Sequence, residues 1–346
     1  MRGDGLLKST ILCLGTLLFC FFAPNSGVLF PNGWEPMPVR LPMSRPIITI
    51  CPVCGDTALS PVLSCKDGYA TGERFDICRC ESCGFLLTQQ PPTAEEIGRY
   101  YETDSYISHS DTRKGLMQML YHRVRTYMLG RKARLIERLT EGRRGRLLDV
   151  GAGTGYFAHA MASRGWKVTA VEPSLRARNF AKETFGMELL PAEDLEGLPP
   201  ASFNVITLWH VMEHLHRLDE TWLLLSGLLT PDGRLIVAVP NKASYDARHY
   251  GADWAAYDVP RHLWHFDFET MQRLAARHGF ELTHCKPMPF DAFYVSMLSE
   301  QQRGGRPAFL RGLLVGTRAL IASWGNKRRS SSLIFVFRKH LKGQSS

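Results

Sequence analysis

Two clusters of residues in this chain have types and spacing suited to chemistry, and the first is made of sulfur. Cys51-Pro52-Val53-Cys54-Gly55 and Cys80-Glu81-Ser82-Cys83-Gly84 are two copies of one knuckle, C-x-x-C-G. Each knuckle lets two thiolates converge on one ion, and its glycine permits the turn that points backbone N–H groups at sulfur. Four thiolates leave a tetrahedral zinc ion no open position, so Cys51, Cys54, Cys80 and Cys83 are expected to hold a structural zinc. Six of the nine cysteines fall within 33 positions, from Cys51 to Cys83, which is metal-site clustering and not a disulfide framework. Cys65 and Cys78 stand outside the knuckles and are read as core or edge cysteines.

The second cluster is a glycine-rich bend. Arg146-Leu147-Leu148-Asp149-Val150-Gly151-Ala152-Gly153-Thr154-Gly155-Tyr156 is an apolar strand ending in an acid, followed by a turn that opens a helix. Glycines are required where backbone touches a ligand or where a side chain blocks a strand-to-helix turn. A dinucleotide site wants a further glycine where Tyr156 stands, so that the helix packs closely over a pyrophosphate. The pattern carried by Gly151, Gly153 and Gly155 suits instead a ligand with an amino-acid end, whose ammonium group Asp149 attracts. Seventeen residues past Gly155, the next apolar run ends in Glu172, an acid placed to accept hydrogen bonds from both hydroxyls of a ribose.

These residues resemble the class I S-adenosylmethionine-dependent methyltransferases over about residues 145–346. The resemblance extends to Phe203-Asn204-Val205-Ile206-Thr207-Leu208-Trp209-His210-Val211-Met212-Glu213-His214-Leu215, similar to the family's fourth strand and the helix after it, and to the segment from Leu229 through Gly233 to Asn241, like its fifth-strand block. It implies S-adenosyl-L-methionine as the cofactor and methyl transfer by in-line displacement, with alignment supplying much of the catalysis and a base added when the acceptor carries a proton. Two departures stand out. Pro191 occupies the place where the family often has an acid that reads adenine, leaving Ala192 by its backbone, with Glu193 and Asp194 as candidates, and Asn204 replaces the usual aspartate.

Histidines mark the acceptor side. His210 and His214, four apart, resemble a metal pair, but the stretch ends a strand at the cofactor's edge, so His210 is expected to touch bound ligand while Glu213 and His214 support the fold. Asp258-Val259-Pro260-Arg261-His262-Leu263-Trp264-His265-Phe266 follows the fifth strand, where open α/β sheets place ligands. It combines acid-base and anion-binding capacity, with His262 the first general-base candidate and His265 the second; buried histidines that merely fix the loop are the competing reading. Tyr101, Tyr106 and His109 resemble residues that close over a cofactor, with aromatic packing the plainer role.

The elements that must position these groups follow from periodicity. Apolar runs at Arg146–Val150, Lys167–Val171, Met187–Leu190, Val205–Trp209, Arg234–Val239, Glu281–Lys286 and Leu333–Arg338 alternate mostly with helical stretches. They predict an α/β fold, a Rossmann-like seven-stranded sheet, mostly parallel with an antiparallel last strand, beside a small N-terminal zinc ribbon. The expected organisation is a leader or mis-assigned start over 1–44, a zinc ribbon over 48–90, a helical linker or lid over 91–139 and the methyltransferase domain over 140–346. Arg2 and Lys8 before the apolar run Ile11–Phe22 look like a secretory signal, yet export conflicts with a thiolate zinc site, so Met43 is the favoured start and the cytoplasm the expected location.

The formal charge of +9 excludes less than it suggests. Residues 301–346 hold seven arginines, three lysines and no acid, so the other 300 residues sum to about −1. Near-neutrality argues against a long phosphate-tracking groove. The partner expected is a small-molecule or glycan-precursor substrate, ahead of ribosomal or transfer RNA bound through the ribbon, and ahead of a non-catalytic zinc-ribbon binding protein. The tail from Phe309 to Trp324, followed by Lys327-Arg328-Arg329, suits either an anionic membrane surface or a solvated basic face.

Overall fold

The computed structural model describes residues 45–101, 116–288, 290–304 and 307–340, with the side chains of 116–122 excepted. The segment 1–44, together with Tyr106 and His109, therefore lies outside the described residues.

Three short antiparallel strands come first: β1 (Leu59–Lys66), β2 (Arg74–Cys80) and β3 (Leu86–Thr88). A long helix, α1 (Leu116–Leu139), forms the second half of the stretch expected over 91–139 to be a helical linker or lid. Its second half is part of the core, with Ala133, Leu135 and Ile136 packed against Leu147, Phe157 and Trp209.

The central sheet is then built by alternation: β4 (Arg146–Val150), α2 (Tyr156–Ala162), β5 (Lys167–Val171), α3 (Leu175–Phe185), β6 (Phe203–Trp209), α4 (Leu218–Leu228) and β7 (Leu229–Pro240). After β7 come α5 (Tyr245–Tyr250), a two-residue strand β8 (Trp264–His265), α6 (Phe268–Arg277) and β9 (Phe280–Pro287). A helical hairpin, α7 (Asp291–Gln302) and α8 (Ala308–Gly325), precedes the last strand, β10 (Ser332–Lys339).

The sheet order is β5-β4-β6-β7-β10-β9, with β4 parallel to β5 and β6, β6 parallel to β7, and β10 antiparallel to both neighbours. This is the Rossmann-like fold expected, with an antiparallel final strand. It has six strands where seven were expected, because Met187–Leu190 contributes only one bridge, Leu190 to Val171, at the β5 edge. Strands buried on both faces read as continuous apolar runs, and β6 is buried at every position but Asn204. Asn204 has a local task, since its Oδ1 accepts the Arg146 N–H at 2.9 Å and fixes the start of β4.

The cysteine-rich module is not a separate sheet. β8, from the histidine loop, pairs with β3 through Leu86↔His265 and Leu87↔Trp264, completing a four-stranded sheet in the order β1-β2-β3-β8.

Candidate functional site

The glycine bend joins β4 to α2 at the carboxyl end of the parallel strands. Gly151, at φ 69°, sits where a Cβ would lie 2.4 Å from Val211 Cγ2, so only glycine fits. Gly155 caps α2 at φ 80°, and a Cβ there would meet Ala181 at 3.0 Å. The Gly151 and Ala152 N–H groups donate to the Val171 carbonyl at 2.8 and 3.0 Å, binding the bend to the end of β5. Glu172 follows directly, 6% exposed, and its carboxylate accepts from Gly153 N–H at 2.8 Å and from Ser174 N–H at 2.9 Å. One acid thus clamps the bend to the start of α3, and burial raises its pKa against those two hydrogen bonds. Each carboxylate oxygen has a lone pair left over for a further donor.

Asp149 lies under the bend and is fully buried. Its Oδ1 accepts the Thr207 hydroxyl at 2.7 Å, while Oδ2 has no hydrogen-bond partner. Burial pushes this carboxyl up to about 7, against the Thr207 hydrogen bond and the nearby Lys132 ammonium. Lys132, on α1, is buried as well, with Nζ 4.2 Å from the centre of the Trp209 ring. Burial brings it down to about 8, although Asp149 and Asp291 favour its charge. A buried acid with an unused oxygen is a strong acceptor for a ligand cation, since an unpaired buried polar group costs on the order of 1–3 kcal/mol.

Beyond the bend, the end of β6 gathers titratable groups. His210 holds a left-handed backbone, φ 58°, rare for a residue with a side chain. Its ring lies between two acids, Nδ1 3.4 Å from Glu213 Oε1 and Nε2 3.3 Å from Asp291 Oδ2. Burial opposes its charge, but the Asp291 and Glu213 carboxylates prevail and carry it up to about 9. Glu213 is fully buried, and neither of its oxygens has a hydrogen-bond partner with proper alignment.

His214 Nδ1 lies 3.0 Å from both the Tyr101 hydroxyl and the Arg261 carbonyl, and burial beside His262 takes this ring down to about 4. The His262 and His214 ring centres are 4.5 Å apart. His262 Nδ1 lies 2.8 Å from the Ala256 carbonyl, so that nitrogen carries the hydrogen and Nε2 keeps a free lone pair, 3.7 Å from Asp258 Oδ2.

The four knuckle cysteines converge. Sγ atoms of Cys51 and Cys83 are 3.6 Å apart, those of Cys54 and Cys80 are 3.5 Å apart, and all four lie within 4.8 Å of one another. Zinc–sulfur bonds of about 2.3 Å in a tetrahedron require sulfur–sulfur edges of about 3.8 Å, so this donor set fits such an ion with little adjustment. Gly55 at φ 80° and Gly84 at φ 72° complete the knuckles, their N–H groups donating to the Cys51 and Cys80 carbonyls at 2.8 Å.

A family model described as "Methyltransferase domain" matches residues 121–285. That stretch, a little under half of the chain, is similar to a methyltransferase domain. Among curated relatives, the ubiquinone biosynthesis O-methyltransferase of Xanthomonas euvesicatoria pv. vesicatoria is 32% identical over 143 residues, 38% of this chain and 59% of that protein. The enzyme of the same name from Idiomarina loihiensis is 33% identical over 129 residues, 35% of this chain and 51% of that protein. The aligned region thus spans less than two thirds of either relative.

Solved structures similar to this chain include an S-adenosylmethionine-dependent methyltransferase from Archaeoglobus fulgidus, 18% identical, with a TM-score of 0.43 and coverage of 65% of this chain and all of that one. Another is the 1,6-didemethyltoxoflavin-N1-methyltransferase of Burkholderia thailandensis, 16% identical, with a TM-score of 0.40 and coverage of 75% and 98%.

Within the methyltransferase domain, the sequence-expected residues group unevenly. Asp149, Gly151, Gly153, Gly155 and Glu172 meet at one bend. Glu193 and Asp194 are exposed on a 3-10 turn just after Leu190, whose carbonyl accepts the Glu172 N–H at 2.9 Å. His210 and His262 belong to one buried polar cluster. His265 points elsewhere: its Nε2 lies 3.0 Å from the Thr88 hydroxyl, and burial holds its pKa well below the ordinary value.

Arg261, expected to lend anion-binding capacity, is 1% exposed and is committed internally to Asp258, the Tyr100 carbonyl and Asp67, the last at 3.2 Å. Sequence reasoning missed Lys132 and Asp291. Lys132 carried a signal, because it shares a helix face at i and i+4 with Met128 and Ile136, both buried. Asp291 carried none, since its approach to His210 depends on how the α7–α8 hairpin docks.

Proposed function

We propose that the chain transfers the methyl group of S-adenosyl-L-methionine to an oxygen of a small molecule, with a glycan precursor included in that class. The observation that carries this reading is the pairing of Glu172, clamped to the glycine bend, with the unpartnered Oδ2 of Asp149 beneath it. Glu172 accepts the ribose hydroxyls, Asp149 draws the amino-acid ammonium, and Glu193 or Asp194 lies beside the adenine edge. His210, held charged between Glu213 and Asp291, borders the bound cofactor. The similarity to ubiquinone biosynthesis O-methyltransferases supports an oxygen acceptor.

When bound, the cofactor supplies an electrophilic methyl group; the chain's own residues align the acceptor and take its proton. His262 suits that task because Ala256 fixes its tautomer and leaves Nε2 to receive the proton, while Asp258 stands by to stabilise the resulting charge. His265 belongs to the support of this loop. Cys51, Cys54, Cys80 and Cys83 hold a structural zinc ion in a ribbon, over about residues 48–90, that anchors the loop to the domain over 140–346.

The test is labelled methyl transfer into metabolite and cell-envelope extracts, with mass analysis of the product. Glu172→Ala is expected to abolish cofactor binding by calorimetry. His262→Ala is expected to retain binding and to lower turnover about 10²–10⁴-fold, the usual contribution of a positioned base. Full turnover in both variants overturns the site assignment.

A further inference from the structure

The α7–α8 hairpin inserted between β9 and β10 is apolar on more faces than packing requires. α8 packs on α7 through Gly312 and Gly316, where a Cβ would lie 2.6 Å from Met297 Cα and 2.8 Å from Phe293 Cα. With Val315, Ala319 and Ser323 these glycines form the helix's buried stripe, at the i, i+3, i+4, i+7, i+11 spacing of one face. The opposite face should then be polar in a helix that ends at solvent. It is not: Leu310 is 55% exposed, Leu313 41%, Leu314 60%, Ile321 56% and Trp324 75%.

Singly exposed apolar residues are ordinary, but five on one 18-residue helix share one face, broken only by Thr317. The charges the helix and its flanks themselves carry are of one sign, and the acids that reach this region, Glu269 and Asp253, are paired with Arg328 and Arg303. Arg311 and Arg318 flank the apolar face, Lys327 and Arg329 lie just past its end, all four are exposed, and residues 301–346 contain no acid. A second copy of the chain would bring the same cations against themselves, whereas an anionic lipid surface neutralises them while its acyl boundary takes the leucines and the indole. No helix among the described residues is long and apolar enough to cross a membrane, so the contact is one of lying on the surface.

We infer that α8 docks this chain on an anionic bilayer, its Leu310–Trp324 face in the headgroup boundary. The hairpin also reaches the site, because α7 begins at Asp291, the partner of His210. Docking is therefore tied, through the α7–α8 contact, to the helix that carries Asp291. The membrane contact itself does not depend on the proposed methyl transfer.

The test uses the full chain and sedimentation with vesicles of phosphatidylcholine alone or mixed with phosphatidylglycerol. The wild-type chain is expected to sediment with the mixed vesicles, less so as salt rises, and to stay largely in solution with phosphatidylcholine alone. Leu314→Glu with Ile321→Glu is expected to weaken binding by roughly a hundredfold, since each such side chain contributes on the order of tenfold to partitioning. Arg311→Gln with Arg318→Gln should remove most of the preference for the anionic lipid. Calorimetric binding of S-adenosylmethionine reports folding and is expected to be unchanged in both.

Three results overturn the proposal: no binding by the wild-type chain, full binding by the glutamate variant, which would place the contact elsewhere, for instance on residues 1–44, or a wild-type dimer in solution that the glutamate variant dissolves. Failure of methyl transfer with intact vesicle binding would count against the proposed function alone.

Discussion

Asp149 is the residue whose ionisation the geometry makes most consequential. It is buried, hydrogen-bonded on one oxygen and held near neutrality at about 7 by desolvation. Its raised value means that keeping it charged costs the empty protein stability as pH climbs through that region, and that a bound cation recovers the loss. Cofactor affinity is therefore expected to rise with pH, by roughly eightfold between pH 6 and about 7.5, as the ionised fraction of a group titrating near 7 grows. Calorimetry across that range checks it, with Asp149→Asn expected to bind weakly and without the slope. A wild-type profile as flat as the variant's would remove Asp149 from contact with the ligand's charge. Lys132 opposes the same ligand cation, and with burial bringing it down only to about 8 it stays mostly charged across this range, so the slope reports the ionisation of Asp149 against a nearly constant opposing charge.

Among the elements, β8 matters beyond its two residues. It hangs the histidine loop from the cysteine-rich sheet, and Thr88 on β3 is the peg: its hydroxyl donates to the His262 carbonyl at 2.7 Å and lies 3.0 Å from His265 Nε2. Thr88→Val keeps the shape but leaves a buried acceptor, the His262 carbonyl, and a buried ring nitrogen, His265 Nε2, without that hydroxyl, at about 1–3 kcal/mol. The loop should lose its register while the glycine bend is untouched. The expected result is a higher KM and lower kcat for the acceptor with unchanged cofactor affinity; a parallel loss of cofactor affinity would show that the loop and the bend are not separable.

None of this coupling was legible in the sequence, because the register of β8 on β3 is set by contacts between residues about 180 apart. What was legible had local causes. The bend at Gly151–Gly155, the acid at the end of β5 and the paired knuckles each follow from short-range backbone demands, and β4, β6 and the second half of β7 followed from continuous burial, with β10 recognisable by its β-branched and aromatic residues. Met187–Leu190 misled because a short apolar run at a sheet edge needs only one bridge to be buried. Arg261 misled because nothing local reveals that Asp67 lies across the fold to receive it.

At the scale of the molecule, one apolar core ignores the expected domain boundary. Cys51, Val53, Cys80, Phe85 and Leu87 from the cysteine-rich segment belong to the same buried cluster as Leu148, Val150, Leu208, Trp264, Phe266 and Phe337. Phe85 sits between Trp264 and Phe266, at ring-centre distances of 6.3 and 5.4 Å. A module tethered only by a linker would unfold on its own, whereas one that shares its core with the sheet adds its metal-binding free energy to the whole. With the proposed zinc bound, calorimetric unfolding of the chain is accordingly expected to show one transition. Stripping the metal with a chelator, or replacing Cys80 with serine, should move that whole transition to lower temperature and not split it, because a ligand that binds only the folded state stabilises every element that unfolds with its site. A second, chelator-sensitive peak beside an unmoved main one would mean that the ribbon melts alone and that the Phe85 contacts do not couple the two halves.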